Sequence, residues 1–130
     1  MTKRSTILGE KIHDIASFYD EVNRVFMHNE TWSIGQSLDA FDDMLYGQYG
    51  AMSGDGPVEI VWRNIETSRR ALGIEATHAL LSEKRRHPEI FNADTIGRQL
   101  DDLERGVGKT YFDIVLNIIA DHPAITLVAG

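Results

Sequence analysis

Asp39, Asp42 and Asp43 are the residues of this chain whose type and spacing most suggest chemistry. On a helix, at about 100° per residue, they share one sector with Tyr46, while Leu38, Phe41, Met44 and Leu45 fall on the opposite one. Four readings are open: a solvated helix face, ligands for Mg²⁺ or Ca²⁺, the acid and base of a hydrolase, or a face that binds a cationic partner. A hard cation needs more oxygen ligands than one short helix offers, and no second acidic cluster stands at a clear spacing. For a hydrolase, the sequence shows neither a partner that would raise a carboxyl pKa nor a substrate groove. Asp is a poor helix former, and like charges at i,i+4 repel. Holding Asp39 and Asp43 one turn apart therefore costs about a few tenths of a kcal/mol, which a cationic partner would offset.

The surrounding charge supports the binding face. From Val25 to Trp62 there is no Lys or Arg, and six carboxylates stand there: Glu30, Asp39, Asp42, Asp43, Asp55 and Glu59. Outside that segment 13 basic residues nearly balance 14 acidic ones, so the net charge of −7 is concentrated in one stretch. A one-sided field of this kind speeds association with a partner of opposite sign. A sequence pI near 5.1 argues against direct contact with nucleic acid, which needs clustered Lys and Arg.

Other candidate sites are weaker. Gly106-Val107-Gly108-Lys109-Thr110 looks like the end of a phosphate-binding loop, but the earlier glycine of that motif is replaced by Leu103, and a polar helix precedes it where a buried strand is needed. Gly106 reads as a helix terminator and Thr110 as the cap of the next helix. The five histidines, at 13, 28, 78, 87 and 122, are scattered, and no two sit at i,i+3 or i,i+4. Each is read as a surface or partly buried side chain. There is no Cys, which excludes disulfides and thiolate chemistry. No cofactor and no metal is expected.

The elements that position these residues follow from periodicity and punctuation. Thr6-Ile7-Leu8 reads as a first strand. Asp14 caps a helix with apolar residues at Ile15, Phe18, Tyr19, Val22 and Phe26. A polar loop from His28 to Ser37 leads into a short helix over Leu38 to Tyr46, stopped by Gly47. Glycines at 50, 54 and 56 mark a flexible loop before a strand over Val58 to Trp62. Helices are expected over Ile65–Leu72 and Ile74–Arg86, the latter ended by Pro88, and another is capped by Asp94. A strongly apolar helix begins at Thr110, with Asp113, Asn117 and Asp121 on its narrow outward stripe, and a last strand covers Ile125 to Val128. Strands separated by helices imply a small α/β fold with a three-stranded parallel sheet. The 130 residues are read as a single domain. The basic start lacks the apolar run of a secretory signal, and no run is long enough for a membrane helix, so a cytoplasmic protein without membrane contacts is expected.

The stretch Gly35-Gln36-Ser37-Leu38-Asp39-Ala40-Phe41-Asp42-Asp43-Met44-Leu45-Tyr46-Gly47 resembles the signature of the barstar family. Gly9-Glu10-Lys11-Ile12 with the following helix, Pro57 to Arg63, and Phe112 to Val128 resemble the family's opening elements, central strand and final helix and strand. The resemblance covers about residues 5–70 and 110–128 and implies a barstar-like fold. The segment from Ile74 to Lys109 stands as an extra helical insertion before the last helix. The resemblance further implies a non-enzymatic inhibitor, an immunity protein that plugs the active site of a basic ribonuclease or toxin nuclease with its acidic helix and preceding loop. A carboxylate there takes the place of a substrate phosphate. Asp43 falls on the family's dominant contact aspartate and Asp39 on its companion. Asp42 and Gln48 stand where the best-known member has tryptophans, and Tyr46 where it has a small hydroxyl residue. Ser33 falls on its contact tyrosine, with Trp32 beside it, and Asn117 and Asp121 fall on two glutamates of its last helix. The expected partner face is thus Trp32, Ser33, Gly35, Asp39, Asp42, Asp43, Tyr46, Gly47, Asn117 and Asp121, on a protein that is a monomer when free. A runner-up reading keeps the fold for an interaction or regulatory module that binds another basic protein.

Overall fold

A parallel sheet organises the molecule: β1 (Lys3–Leu8), β2 (Val58–Arg63) and β3 (Ile125–Ala129), in the order β1-β2-β3. The computed structural model describes residues 3–47, 49–52, 54 and 56–130, so Gln48 and Asp55 lie outside the described residues. Alternation along β2 buries Val58, Ile60 and Trp62 on one face. On the opposite face Glu59 pairs with Arg4 Nε at 2.9 Å. β1 begins three residues earlier than its apolar run suggests. Lys3, Arg4 and Ser5 pair with Val58, Glu59 and Ile60, and a backbone ladder needs no apolar side chains.

Among the described residues six helices connect and cover the strands: α1 (Ile15–Phe26), α2 (Leu38–Leu45), α3 (Ile65–Ala71), α4 (Ile74–Arg85), α5 (Ala93–Glu104) and α6 (Tyr111–Ala120). Local capping explains several of the starts. Asp14 Oδ1 accepts from the Ser17 N–H at 2.8 Å while Ser17 Oγ accepts from the Asp14 N–H at 3.0 Å, a reciprocal box that begins α1. Ser37 Oγ accepts from the Ala40 N–H at 3.2 Å and begins α2. α5 is capped by Asn92, whose Oδ1 accepts from the Thr95 N–H at 3.1 Å, and not by Asp94. Asp94 stands instead in the first turn, where a negative charge suits the helix dipole. Thr110 caps α6 as expected, but its reciprocal partner is Asp113, whose Oδ2 accepts from the Thr110 N–H at 3.0 Å. Asp113 shares the helix side of Asn117 and Asp121, but it is half-buried where they are exposed and its carboxylate is taken up by the cap. Gly106, at φ +76°, ends α5, and the Asp102 carbonyl accepts from the N–H groups of Val107 and Gly108. That stretch is a helix stop followed by a helix start, not a phosphate cradle.

An aromatic cluster joins the layers. The Phe18 ring of α1 stacks on Trp62 of β2 with centroids 6.2 Å apart and meets Phe41 of α2 edge-on at 5.6 Å. Trp62 in turn meets Phe112 of α6 at 5.6 Å. All four side chains are essentially fully buried. Trp62 Nε1–H, the polar atom brought inside with its ring, donates to Ser68 Oγ at 2.9 Å. The helices α4 and α5 stand between α3 and α6 and pack on each other through Ile96, Leu100 and Leu103. Thr77 of α4 ties them to the core, because its Oγ1 accepts from the Tyr111 N–H at 2.8 Å.

Candidate partner-binding face

α2 presents two unlike faces because of its sequence period. Phe41, Met44 and Leu45 are buried and fix the helix on the core, while Asp39 and Asp43 are exposed. Among the described residues neither of those two carboxylates has a hydrogen-bond or ion-pair partner. Asp39 and Asp43 thus stand on one exposed face of an eight-residue helix without an ion-pair partner among the described residues.

Gly47 ends α2 at φ +84°, and a Cβ there would stand 2.6 Å from the Met52 carbonyl oxygen. The turn thus requires glycine, and it folds the chain back through the 3-10 turn Gly50–Met52 in a segment read from sequence only as a flexible loop. Gly35 differs. Nothing lies within 4 Å of an added Cβ, so the fold itself does not demand glycine at that position.

The loop before α2 is clasped from α1. Asn23 Oδ1 accepts from the Ile34 N–H at 2.8 Å, and Asn23 Nδ2 donates to the Ile34 carbonyl at 3.1 Å and the Tyr19 carbonyl at 2.9 Å. Buried Ile34 is the anchor, and exposed Trp32, Ser33 and Gly35 flank it. Trp32, 48% exposed as a residue, leans its ring on Tyr49 with centroids 4.8 Å apart. Burial pushes the Tyr49 hydroxyl to a raised pKa, and the charge of Asp43 adds to the effect. Tyr49 therefore joins the face beside Asp43. The sequence reading omitted it, although an aromatic two residues past Gly47 in the acidic stretch was its available signal.

Asp42 belongs to the edge of the face and has a partner. His122 Nε2 donates to Asp42 Oδ1 at 2.7 Å, and the Tyr46 ring stands edge-on to the His122 ring at 4.6 Å. His122, one of the scattered histidines, is buried. It directly follows Asp121, the exposed C-terminal cap residue of α6, and Asn117 is exposed one turn earlier. Tyr46, Asp121 and His122 line one cavity of about 230 Å³. At the other end of α2, Ser37, Leu38 and Asp39 border a cleft of about 520 Å³ with Leu80, Lys84 and Phe91, so the α4 region lies next to the acidic face.

Two charges here work against the helices that carry them. Asp43 sits in the last turn of α2 and Asp121 caps the C-terminus of α6, and neither helix has a basic residue in its last turn. An anion at the negative end of a helix dipole is unfavourable by about 0.3–1 kcal/mol each. Among the described residues no group of three or more His, Asp and Glu could hold a metal ion, and no helix is long and apolar enough to cross a membrane.

The fold defines a small α/β protein that exposes Asp39 and Asp43 on one helix face beside aromatic side chains. The chain belongs to the barstar family: residues 2–89 match the family described as Barstar (barnase inhibitor). Proteins of this family are inhibitors rather than enzymes. The matched span takes in the clasped loop and α2 and runs through α4, which the sequence reading had assigned to an insertion. It ends before α6 and β3, where that reading placed the family's last helix and strand. No curated protein matches the chain.

Proposed function

We propose that this chain is an intracellular inhibitor of a basic ribonuclease or toxin nuclease, an immunity protein that occludes the nuclease active site. The observation that carries the reading is the pair of exposed carboxylates on α2, Asp39 and Asp43, unpartnered among the described residues and held on a helix whose other face is locked in the core. A nuclease site holds cationic side chains to bind phosphate, and a rigid carboxylate satisfies them without being cleavable. Because the helix and its loop are fixed from behind, little side-chain and loop entropy remains to be lost on binding. Trp32, Ser33, Gly35, Asp42, Tyr46, Gly47, Asn117 and Asp121 complete the proposed face, on a single-domain protein that is a monomer when free.

Titration calorimetry and inhibition assays with a barnase-type ribonuclease test this. Asp43→Ala is expected to weaken the complex by at least about 2 kcal/mol, the scale of a buried anchor, while the thermal melt stays in place. A loss below about 0.5 kcal/mol would remove Asp43 from the centre of the interface.

A further inference from the structure

We propose that His122 is a positioning residue of the acidic face: it holds Asp42 and Tyr46 in one arrangement so that the face meets its partner preformed. This rests on the inhibitor reading and deepens it.

His122 is itself rigidly placed. Its N–H donates to the Ile119 carbonyl at 3.1 Å and its carbonyl accepts from the Ile125 N–H at 3.0 Å, so the backbone is held on both sides, by α6 and by the start of β3. Its side chain is only 8% exposed. An ionised carboxylate can only accept, so the bond to Asp42 Oδ1 puts a proton on His122 Nε2. The bond uses one oxygen of Asp42. The side chain remains 38% exposed, which leaves Oδ2 available to a partner. Without the imidazole, Asp42 would be a third carboxylate crowded against Asp43 and Asp39, free to swing away from them. Tyr46 makes the same case. The residue is 67% exposed, and among the described residues its ring rests on His122. An exposed aromatic held by one edge-on contact enters an interface with fewer rotamers to lose.

One buried ring therefore connects the C-terminal half of α2 to the turn between α6 and β3. The two elements lie 80 positions apart in sequence. Asp121, immediately before His122, shares the same cavity with Tyr46, so the tie also sets where the α6 carboxylate stands relative to α2.

The test compares the wild type with His122→Ala, His122→Gln, Asp42→Ala and the His122→Ala/Asp42→Ala double variant. Each is titrated against a barnase-type ribonuclease and melted thermally. His122→Ala should weaken inhibition at least tenfold. Asp42→Ala should add little in the His122→Ala background, because residues that act as a unit are non-additive. His122→Gln keeps an amide donor and should recover part of the loss. Fully additive effects, or unchanged inhibition by His122→Ala, would overturn the proposal. If the wild type does not inhibit the ribonuclease, the inhibitor reading fails, and the free protein still decides the positioning claim. Its ¹⁵N-labelled imidazole should show one Nε2–H tautomer with ring-to-ring contacts to Tyr46, both lost in Asp42→Ala, which removes the acceptor. A tautomer-averaged ring without Tyr46 contacts in the wild type would overturn it.

Discussion

Replacing Asn23 with Ala should loosen the loop that leads into the acidic helix. Three hydrogen bonds disappear, at 2.8, 2.9 and 3.1 Å, and with them the only side-chain partner that the described residues supply to both the N–H and the carbonyl of Ile34. At about 0.5–1.5 kcal/mol net per bond the gross loss is roughly 1.5–4.5 kcal/mol. The site is partly buried, so water reaches some of the freed groups and moves the loss toward the lower half of that range. Alanine is also the better helix former near the end of α1, by about 0.5 kcal/mol. The expected net destabilisation is about 1–2.5 kcal/mol, measured by urea unfolding. Inhibition of a barnase-type ribonuclease should weaken as well, because Trp32 and Gly35 lose the anchored residue between them. Hydrogen exchange isolates the cause: the Ile34 amide should lose protection while amides in β2 keep theirs. An Ile34 amide as protected in the variant as in the wild type would refute the clasp.

Further outcomes follow from neighbouring features. Asp121→Asn should raise stability by about 0.3–1 kcal/mol by removing an anion from the C-terminus of α6, and it should cost the complex less than Asp43→Ala; a lower melting temperature would contradict this. Gly35→Ala should leave the melt within about 0.5 kcal/mol of the wild type, since no atom crowds the added methyl, yet reduce inhibition at least tenfold if a partner approaches the backbone there. Equal inhibition by the alanine variant would take Gly35 out of the interface. Glu21 is buried, which alone would raise its pKa, but hydrogen bonds from Arg24 and the Leu8 N–H outweigh burial and hold the carboxyl below its ordinary value. A lowered pKa stabilises the fold above the unfolded-state value, and that stability is lost as pH falls through the folded value. Glu21→Gln should therefore be less stable than the wild type at pH 7 by about 1–3 kcal/mol, and the gap should close in acid. Denaturant melts that show the same gap at about pH 3 would disprove the charge-based account.

Short-range physics made most of the architecture and part of the face legible in the residues alone. The 3.6-residue period of Ile15 to Phe26 and of Leu38 to Leu45, the caps Asp14 and Thr110, and the stops at Gly47 and Gly106 depend on neighbours within one turn. So does the separation of Asp39 and Asp43 from Phe41 and Met44, which placed two carboxylates on the exposed side of α2 before any packing was known. Where capping choices lay close together, as with Asn92 and Asp94, both residues are good caps and only the backbone conformation chose between them. Contacts across the sequence had no such signal. Asn23 meets Ile34 because α1 and the loop fold back on each other, and Tyr49 meets Trp32 across the same fold. The helical wheel put Asp42 with the free aspartates, and the packing of α2 against α6 gave it to His122 instead. Periodicity reports which side of a helix a residue occupies. Which distant side chain waits on that side is decided by how the elements stack, and only the tertiary structure contains it.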